Sequence, residues 1–280
     1  MPAGATRLDA ELVRQGLARS RRRAADLVAE GRVRVAGQVA RKPSQPVPAT
    51  STIAVTGTPD QYVSRGAHKL AGALDALEAA GSPVPVADRR CLDAGASTGG
   101  FTQVLLERGA THVVAVDVGH DQLAPVLLAD PRVESREGMN IRDLRAQDVG
   151  GQVELVVADL SFISLTLVLR RLAALVRPDG DLFVLVKPQF EVGRERLGSS
   201  GVVTELDGRV DAVRQVVRAA GSVGRVDAVA PSPLPGPKGN QEYFLLVRPG
   251  VGRVMSQDAD AAVDAAVREC RTMVIQDGGR

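Results

Sequence analysis

The sequence predicts an α/β protein: a mostly parallel sheet wrapped by helices on both faces, its last strand antiparallel, preceded by a small basic α+β domain. Three observations predict it. From about Val63 onward, short apolar runs alternate with helical stretches, the pattern of a parallel sheet with crossover helices. A glycine-rich turn, Gly95-x-x-x-Gly99-Gly100, closes the first of those runs, where open α/β sheets bind ligands. The first 60 residues also carry ten Arg and Lys against five acids, although the 280-residue chain has a formal net charge of only +2.

The head reads as two helices and then short strands. Leu8, Leu12, Val13 and Leu17 recur at helical spacing, and Gly16 closes the turn. Ser20 is the expected N-cap of a second helix, which carries Ala24, Ala25, Leu27 and Val28 and ends at Gly31. Val33, Val35 and Val39 flank Gly37 as in a hairpin. Pro43, Pro46 and Pro48 are expected to break the chain before a last strand at 51–55. In the body, strands are expected at 90–94, 112–117, 132–136, 153–159, 181–187, 222–229 and 241–247. The turn-rich segment SPLPGPKGN makes the last two a hairpin, hence the antiparallel final strand. The expected organisation is a domain at 1–59, a linker at 60–63, a sheet domain at 64–250 and a helical, Ala/Val-rich tail at 251–280.

Composition narrows the function classes. An apolar content of 44% supports a core, and no run approaches the roughly 20 apolar residues of a membrane span. The opening MPAGATRLDAEL lacks the apolar stretch of a secretory signal, and Cys91 and Cys270 stand far apart, without metal-ligand spacing. A reducing, cytoplasmic setting is the expectation, with no metal. A basic head on a near-neutral body suits a polyanionic partner; a solvated basic face is the alternative.

Four segments in the body place polar groups where a strand ends. In LDAGASTGGFT, Asp93 ends a strand, and Gly95, Gly99 and Gly100 let backbone approach a ligand. Ser97, Thr98 and Phe101 share that turn. Asp117 ends the next strand, where a carboxylate can accept both hydroxyls of an adenosyl ribose or simply cap a helix. Asp159, in ADLSFISL, ends a third. Lys187, in LVKPQFE, ends a fourth; burial disfavours a charged ammonium there, which makes the amine a candidate general base. Lys69 in RGAHKL and Glu242 in GNQEYF are, taken alone, ordinary surface charges.

Together these segments resemble a known family. Lys69, Asp159, Lys187 and Glu242 resemble the Lys–Asp–Lys–Glu tetrad of FtsJ/RrmJ-type 2′-O-ribose methyltransferases. The run RLDAELV, VSRGAHKL, DAGASTGGFT, AVDVGHDQL, ADLSFISL, KPQFE and GNQEYF is similar to the TlyA (haemolysin A) family of rRNA 2′-O-methyltransferases, over about residues 7–248. That resemblance implies the Rossmann-like methyltransferase sheet, S-adenosylmethionine as cofactor, and ribosomal RNA, with a cytidine ribose as target, as partner. It implies the four tetrad residues as catalytic, and Asp93, Gly95, Ser97, Thr98, Gly99, Gly100, Phe101, Asp117 and Asp159 as cofactor-binding. The head resembles the RNA-binding domain shared by a small-subunit ribosomal protein and pseudouridine synthases. By that likeness Arg7, Arg19, Arg21, Arg22, Arg23, Arg32, Arg34, Arg41 and Lys42 would meet RNA phosphates. Two departures stand out: Asp60-Gln61-Tyr62-Val63 replaces Arg-x-Trp-Val, and Gly66-Ala67-His68-Lys69 replaces Gly-Gly-x-Lys. The competing readings are a small-molecule methyltransferase, or an RNA-binding or membrane-lytic protein without catalysis. Lysis would need an apolar span or a strongly amphipathic basic helix, and neither is evident.

Overall fold

A computed structural model of the chain describes residues 5–18, 21–48, 50–56, 62–193, 196–198, 201–236, 238–250 and 258–275. The chain forms two compact units, Met1–Gln61 and Tyr62–Arg280.

In the first unit, β1 (Ala5–Arg7) runs into α1 (Leu8–Arg14), followed by α2 (Arg21–Ala29), β2 (Val33–Val35), β3 (Gln38–Val39), β4 (Pro46–Pro48) and β5 (Ile53–Val55). Leu8, Leu12, Ala24, Leu27 and Val28 pack with Val33, Val47 and Ile53 into one small core. Gly16 and Gly31 follow the helices at φ +70° and +68°, and the β2–β3 turn uses Ala36 and Gly37, both left-handed. The expected break at the prolines needs correction. Pro46 and Pro48 flank Val47 in a strand that pairs antiparallel with β1, with Thr6 opposite Val47. A two-stranded ribbon has outer edges where missing N–H groups cost nothing, and prolines fit there. The expected Ser20 cap lies outside the described residues.

The second unit opens with α3 (Arg65–Ala79), then β6 (Arg90–Ala94), α4 (Gly100–Glu107), β7 (His112–Val116), α5 (Pro125–Leu128) and β8 (Val133–Arg136). It continues with β9 (Val153–Ala158), α6 (Leu169–Ala174), β10 (Val176–Val186), α7 (Pro188–Glu191), α8 (Leu206–Gly221), β11 (Arg225–Pro231), β12 (Tyr243–Arg248), α9 (Asp258–Arg268) and β13 (Met273–Val274). Sheet order is β13-β11-β12-β10-β9-β6-β7-β8. Strands β8, β7, β6, β9 and β10 are mutually parallel, and β12 inserts antiparallel between β10 and β11. The expected strand order of the body holds, with β10 beginning five residues earlier than its apolar run. The tail differs from a purely helical one: α9 is followed by β13, which pairs antiparallel with β11 and adds an eighth strand.

Alternate residues of each strand face opposite helical layers. Leu92, Val114, Val156 and Val184 pack with Val213, Val216 and Val263 from α8 and α9. Cys91, Val113, Leu155 and Phe183 pack with Leu70, Leu74, Phe101 and Leu105 from α3 and α4. A sheet buried on both faces explains why its strands read as unbroken apolar runs. Asp93, Asp159 and Lys187 gather at the strand ends, while Asp181 and Asp227 lie within β10 and β11 and pair with Arg89, Arg225 and Arg248.

Candidate active site

The turn after β6 is fixed by its backbone. Gly95 has φ +84° and donates its N–H to Val116 O at 2.8 Å. A Cβ at Gly95 would sit 2.6 Å from Asp159 O, so only glycine lets the turn lie against the next strand end. Gly99 enters α4 at φ +92°. Asp93 is 0% exposed; its Oδ2 accepts the Thr102 N–H at 2.9 Å and the Thr102 hydroxyl at 2.7 Å, securing the start of α4. Its Oδ1 is buried with no hydrogen-bond partner among the described residues. Burial pushes the Asp93 carboxyl up to about 7, the Thr102 bonds oppose this, and the Asp159 and Asp117 charges add to it. An orphaned buried carboxylate oxygen is costly unless a ligand supplies a donor.

Asp117 follows β7. Its Oδ2 accepts the Ser97 N–H at 2.8 Å and its Oδ1 the Gly119 N–H at 2.7 Å. Asp117 caps no helix among the described residues; its carboxylate organises the loops after β6 and β7 and keeps lone pairs free. Ser97, at φ +48°, bonds Gln122 Oε1 through its hydroxyl at 3.2 Å, and Thr98 is exposed on the same rim. Gly100 lies against Ser64 and the Ala67 backbone. The Phe101 side chain does not line this cradle. It is buried in the core and stacks on Phe244 with ring centroids 6.0 Å apart, because the α4 register turns position 101 toward the sheet. What remains is a glycine turn flanked by a buried, partnerless carboxylate oxygen, Asp93 Oδ1, and by the acceptor carboxylate of Asp117. Those features fit S-adenosylmethionine, whose ammonium group and ribose hydroxyls are donors.

Beside the cradle, the structure brings four distant residues into two ion pairs. Lys69 Nζ on the inner face of α3 lies 2.5 Å from Glu242 Oε2, with the two residues 6% and 0% exposed. Lys187 Nζ pairs with Asp159 Oδ1 and donates to Ser161 Oγ at 3.0 Å. Gln189 Nε2, two residues beyond Lys187 in the chain, donates to Glu242 Oε1 at 3.2 Å. Topology explains the meeting. Asp159 and Lys187 follow parallel neighbours β9 and β10, and Glu242 precedes antiparallel β12, so three chain segments reach the same sheet edge. Lys187 lies just past β10 as the N-cap residue of α7. Gly236 leaves room for Glu242: a Cβ there would stand 2.4 Å from Oε1.

Some participants were not singled out from sequence. Gln189 and Glu191 lie within the KPQFE segment, and Gly236 and Asn240 within or beside the proline-rich turn. Glu191 is buried; its Oε1 accepts the Leu165 N–H at 2.8 Å and its Oε2 the Ser164 hydroxyl at 2.5 Å. Burial pushes its carboxyl up, against the lowering effect of those two bonds. Phe162, by contrast, is 91% exposed at φ +64°, with its ring 5.3 Å from that of Phe190.

The candidate RNA contacts of the first unit divide by environment. Arg21, Arg34, Arg41 and Lys42 are exposed. Arg7 and Arg21 both bond Asp9, and these contacts, Arg7 first, hold that carboxyl down to about 2 against its burial. Arg34 donates to Gly37 O at 2.9 Å, and Arg32 to Thr56 O at 2.9 Å. Arg23 is different: its side chain is 9% exposed and bonds Glu30 at 2.9 Å, an inward position set by the register of α2. Arg19 and the Arg22 side chain lie outside the described residues.

A doubly wrapped sheet of this order, a glycine turn beneath a buried carboxylate and a Lys–Asp–Lys–Glu cluster at the strand ends define a methyltransferase that uses S-adenosylmethionine. Comparison with known proteins agrees: residues 62–248 match the FtsJ-like methyltransferase model, and residues 6–53 match the S4 domain. The chain belongs to the FtsJ-like methyltransferase family and carries an S4 domain ahead of it. It is 52% identical over 266 residues to TlyA of Mycobacterium tuberculosis, named a 16S/23S rRNA (cytidine-2′-O)-methyltransferase, covering 94% of this chain and 97% of that protein. It is 33% identical to Hemolysin A of Brachyspira hyodysenteriae, over 85% of this chain and 98% of that protein. A solved structure from Streptococcus thermophilus, described as a hemolysin, matches with TM-score 0.72 at 34% identity, over 95% and 97% of the two chains. Among the described residues, no helix is long and apolar enough to cross a membrane.

Proposed function

We propose that this protein methylates the ribose 2′-hydroxyl of a cytidine in ribosomal RNA, in one or both ribosomal subunits, within the cytoplasm. The observation that carries the reading is the two ion pairs, Lys187–Asp159 and Lys69–Glu242, at the strand ends beside the glycine turn. The 52% identity to an rRNA (cytidine-2′-O)-methyltransferase supports the choice of substrate. The S4 domain supplies an RNA-binding module, and phosphate contacts from its exposed cations would position the substrate without choosing its sequence.

S-adenosylmethionine supplies an electrophilic methyl group on a sulfonium. This chain's residues do the rest. Asp93 Oδ1 and Asp117 hold the cofactor's two donor-rich ends. Lys187, once deprotonated to the free amine, takes the 2′-hydroxyl proton, and Asp159 and Ser161 orient it. Lys69 and Glu242, locked together and joined to Gln189, hold the acceptor ribose and balance charge. Proton removal of this kind contributes ~10²–10⁴-fold, and orientation of the acceptor oxygen adds to it. Mapping 2′-O-methylation in rRNA from cells with and without the protein tests the reading. A new methyl mark on a cytidine of either subunit is expected; identical maps would defeat it.

A further inference from the structure

The loop after β9 is an arch held at both ends by the segment after β10. At its near end Asp159 pairs with Lys187, and at its far end Leu165 and Ser164 bond Glu191, four residues beyond Lys187. Between these anchors, Ser161 accepts the Lys187 amine at 3.0 Å and Phe162 holds a left-handed backbone, φ +64°. A bulky residue adopts that conformation only when its surroundings over-determine it. Phe162 is 91% exposed, and its ring lies 5.3 Å from that of Phe190, itself on the segment after β10. The anchors on that segment, Lys187 and Glu191, hold the arch together with this ring contact. Asp159 also serves Lys187, whereas the Glu191 side chain, among the described residues, bonds Ser164 and Leu165 and none of the four tetrad side chains.

We propose that Glu191 is a positioning residue for methyl transfer: by clamping Ser164 and Leu165 it fixes the arch, and thereby the Ser161 hydroxyl on the Lys187 amine. This rests on the function proposed above. Glu191 spends both carboxylate oxygens on the far end of the arch and satisfies the Leu165 N–H at the start of a 3₁₀ turn, while Ser164 Oγ accepts the Thr166 N–H at 3.2 Å. Without Glu191, the Leu165 N–H loses its acceptor and the left-handed Phe162 relaxes. Ser161 then leaves the amine, and the amine turns away from the acceptor oxygen. Cofactor contacts at Asp93 and Asp117 lie on other strand ends and are untouched.

The test uses the full chain, S-adenosylmethionine and ribosomal subunits from cells lacking the protein, with Glu191→Ala, Glu191→Gln and Ser164→Ala. A displacement of about 1 Å can cost ~100-fold, so Glu191→Ala is expected to lower kcat about 10–100-fold. KM for RNA and Kd for the cofactor should stay within about twofold of wild type. Glutamine can accept from Leu165 and donate to Ser164; it should restore kcat to within about threefold. Ser164→Ala, which keeps the Leu165 bond, should fall between. Amide exchange at Leu165 gives a readout independent of activity: faster in the alanine variant, unchanged in the glutamine variant. Wild-type kcat in Glu191→Ala, equal damage in Gln and Ala, or parallel loss of kcat and cofactor binding would each overturn the proposal. If wild type transfers no methyl group, the functional reading fails, and exchange at Leu165 alone decides whether Glu191 clamps the arch.

Discussion

Replacing Lys69 by Met removes the cation from a carboxylate that has almost no solvent to turn to. Glu242 is 0% exposed, and among the described residues its remaining side-chain partner is the neutral Gln189 amide at 3.2 Å. Breaking one side of a buried pair costs about 3–5 kcal/mol, because the surviving charge stays buried and uncompensated. For a unit the size of Tyr62–Arg280, about 2–4 °C is lost per kcal/mol, so Tm should fall by roughly 6–20 °C. Glu242→Met should do similar harm by stranding the Lys69 ammonium. The double variant removes both charges and should be markedly less damaged than the two single costs added together. Calorimetry on all four proteins, closed as a cycle, measures the coupling, while methyl transfer should be lost in all three variants. Distant sites add to within about 0.3–0.5 kcal/mol. Additivity of that quality here would refute the claim that the two charges depend on each other, and with it the assignment of this pair as a desolvated part of the active site.

Three further outcomes follow from the geometry. Asp93 sits at about 7 in the fold against 3.8 when unperturbed, so between those values the folded state holds a proton the unfolded state lacks. Its contribution to stability therefore falls as pH rises from about 4 to 7. Cofactor affinity, which needs the carboxylate, should instead fall about tenfold per unit below pH ~7. Titration calorimetry of wild type and Asp93→Asn checks this, and matching pH profiles in the two would contradict it. Lys187→Ala should abolish transfer while sparing cofactor and RNA affinity, and Lys187→Arg should be nearly as inactive, since a guanidinium cannot take the proton. Substantial single-turnover transfer by the Arg variant would leave position 187 only an electrostatic role. Neutralising exposed Arg21, Arg41 and Lys42 to Gln should weaken rRNA binding and flatten its salt dependence by roughly 0.7–0.9 in slope per lost contact. An unchanged slope in a filter-binding series would mean these cations make no phosphate contact. Arg23 is left out because Glu30 holds it in the interior of its unit.

The strands of the second unit were legible because burial on both faces favours continuous apolar runs, and Asp93, Asp117, Asp159 and Lys187 stood out where such runs end. Asp181 and Asp227, which lie inside β10 and β11 against arginine partners, did not. The glycine turn was legible for a similar reason, since a backbone at φ +84° pressed against the Asp159 carbonyl excludes a side chain. Local pattern failed where a residue's role depends on what lies far along the chain. Lys69 and Glu242 are separated by 173 residues and looked like surface charges, yet the fold closes them into a buried pair. The prolines around Val47 looked like a break, and a partner strand at Ala5–Arg7 made them an edge. Phe101 sits in the cofactor turn by sequence and in the core by helix register; Arg23 stands in a basic run and turns inward. β13 is two residues long and exists through its pairing with β11. The sequence by itself determined the strands, the turn and the residue types available at each strand end, because backbone conformation and burial act over a few neighbours. Only the tertiary structure decided which charges meet and which stay wet, because desolvation and pairing are set by neighbours in space.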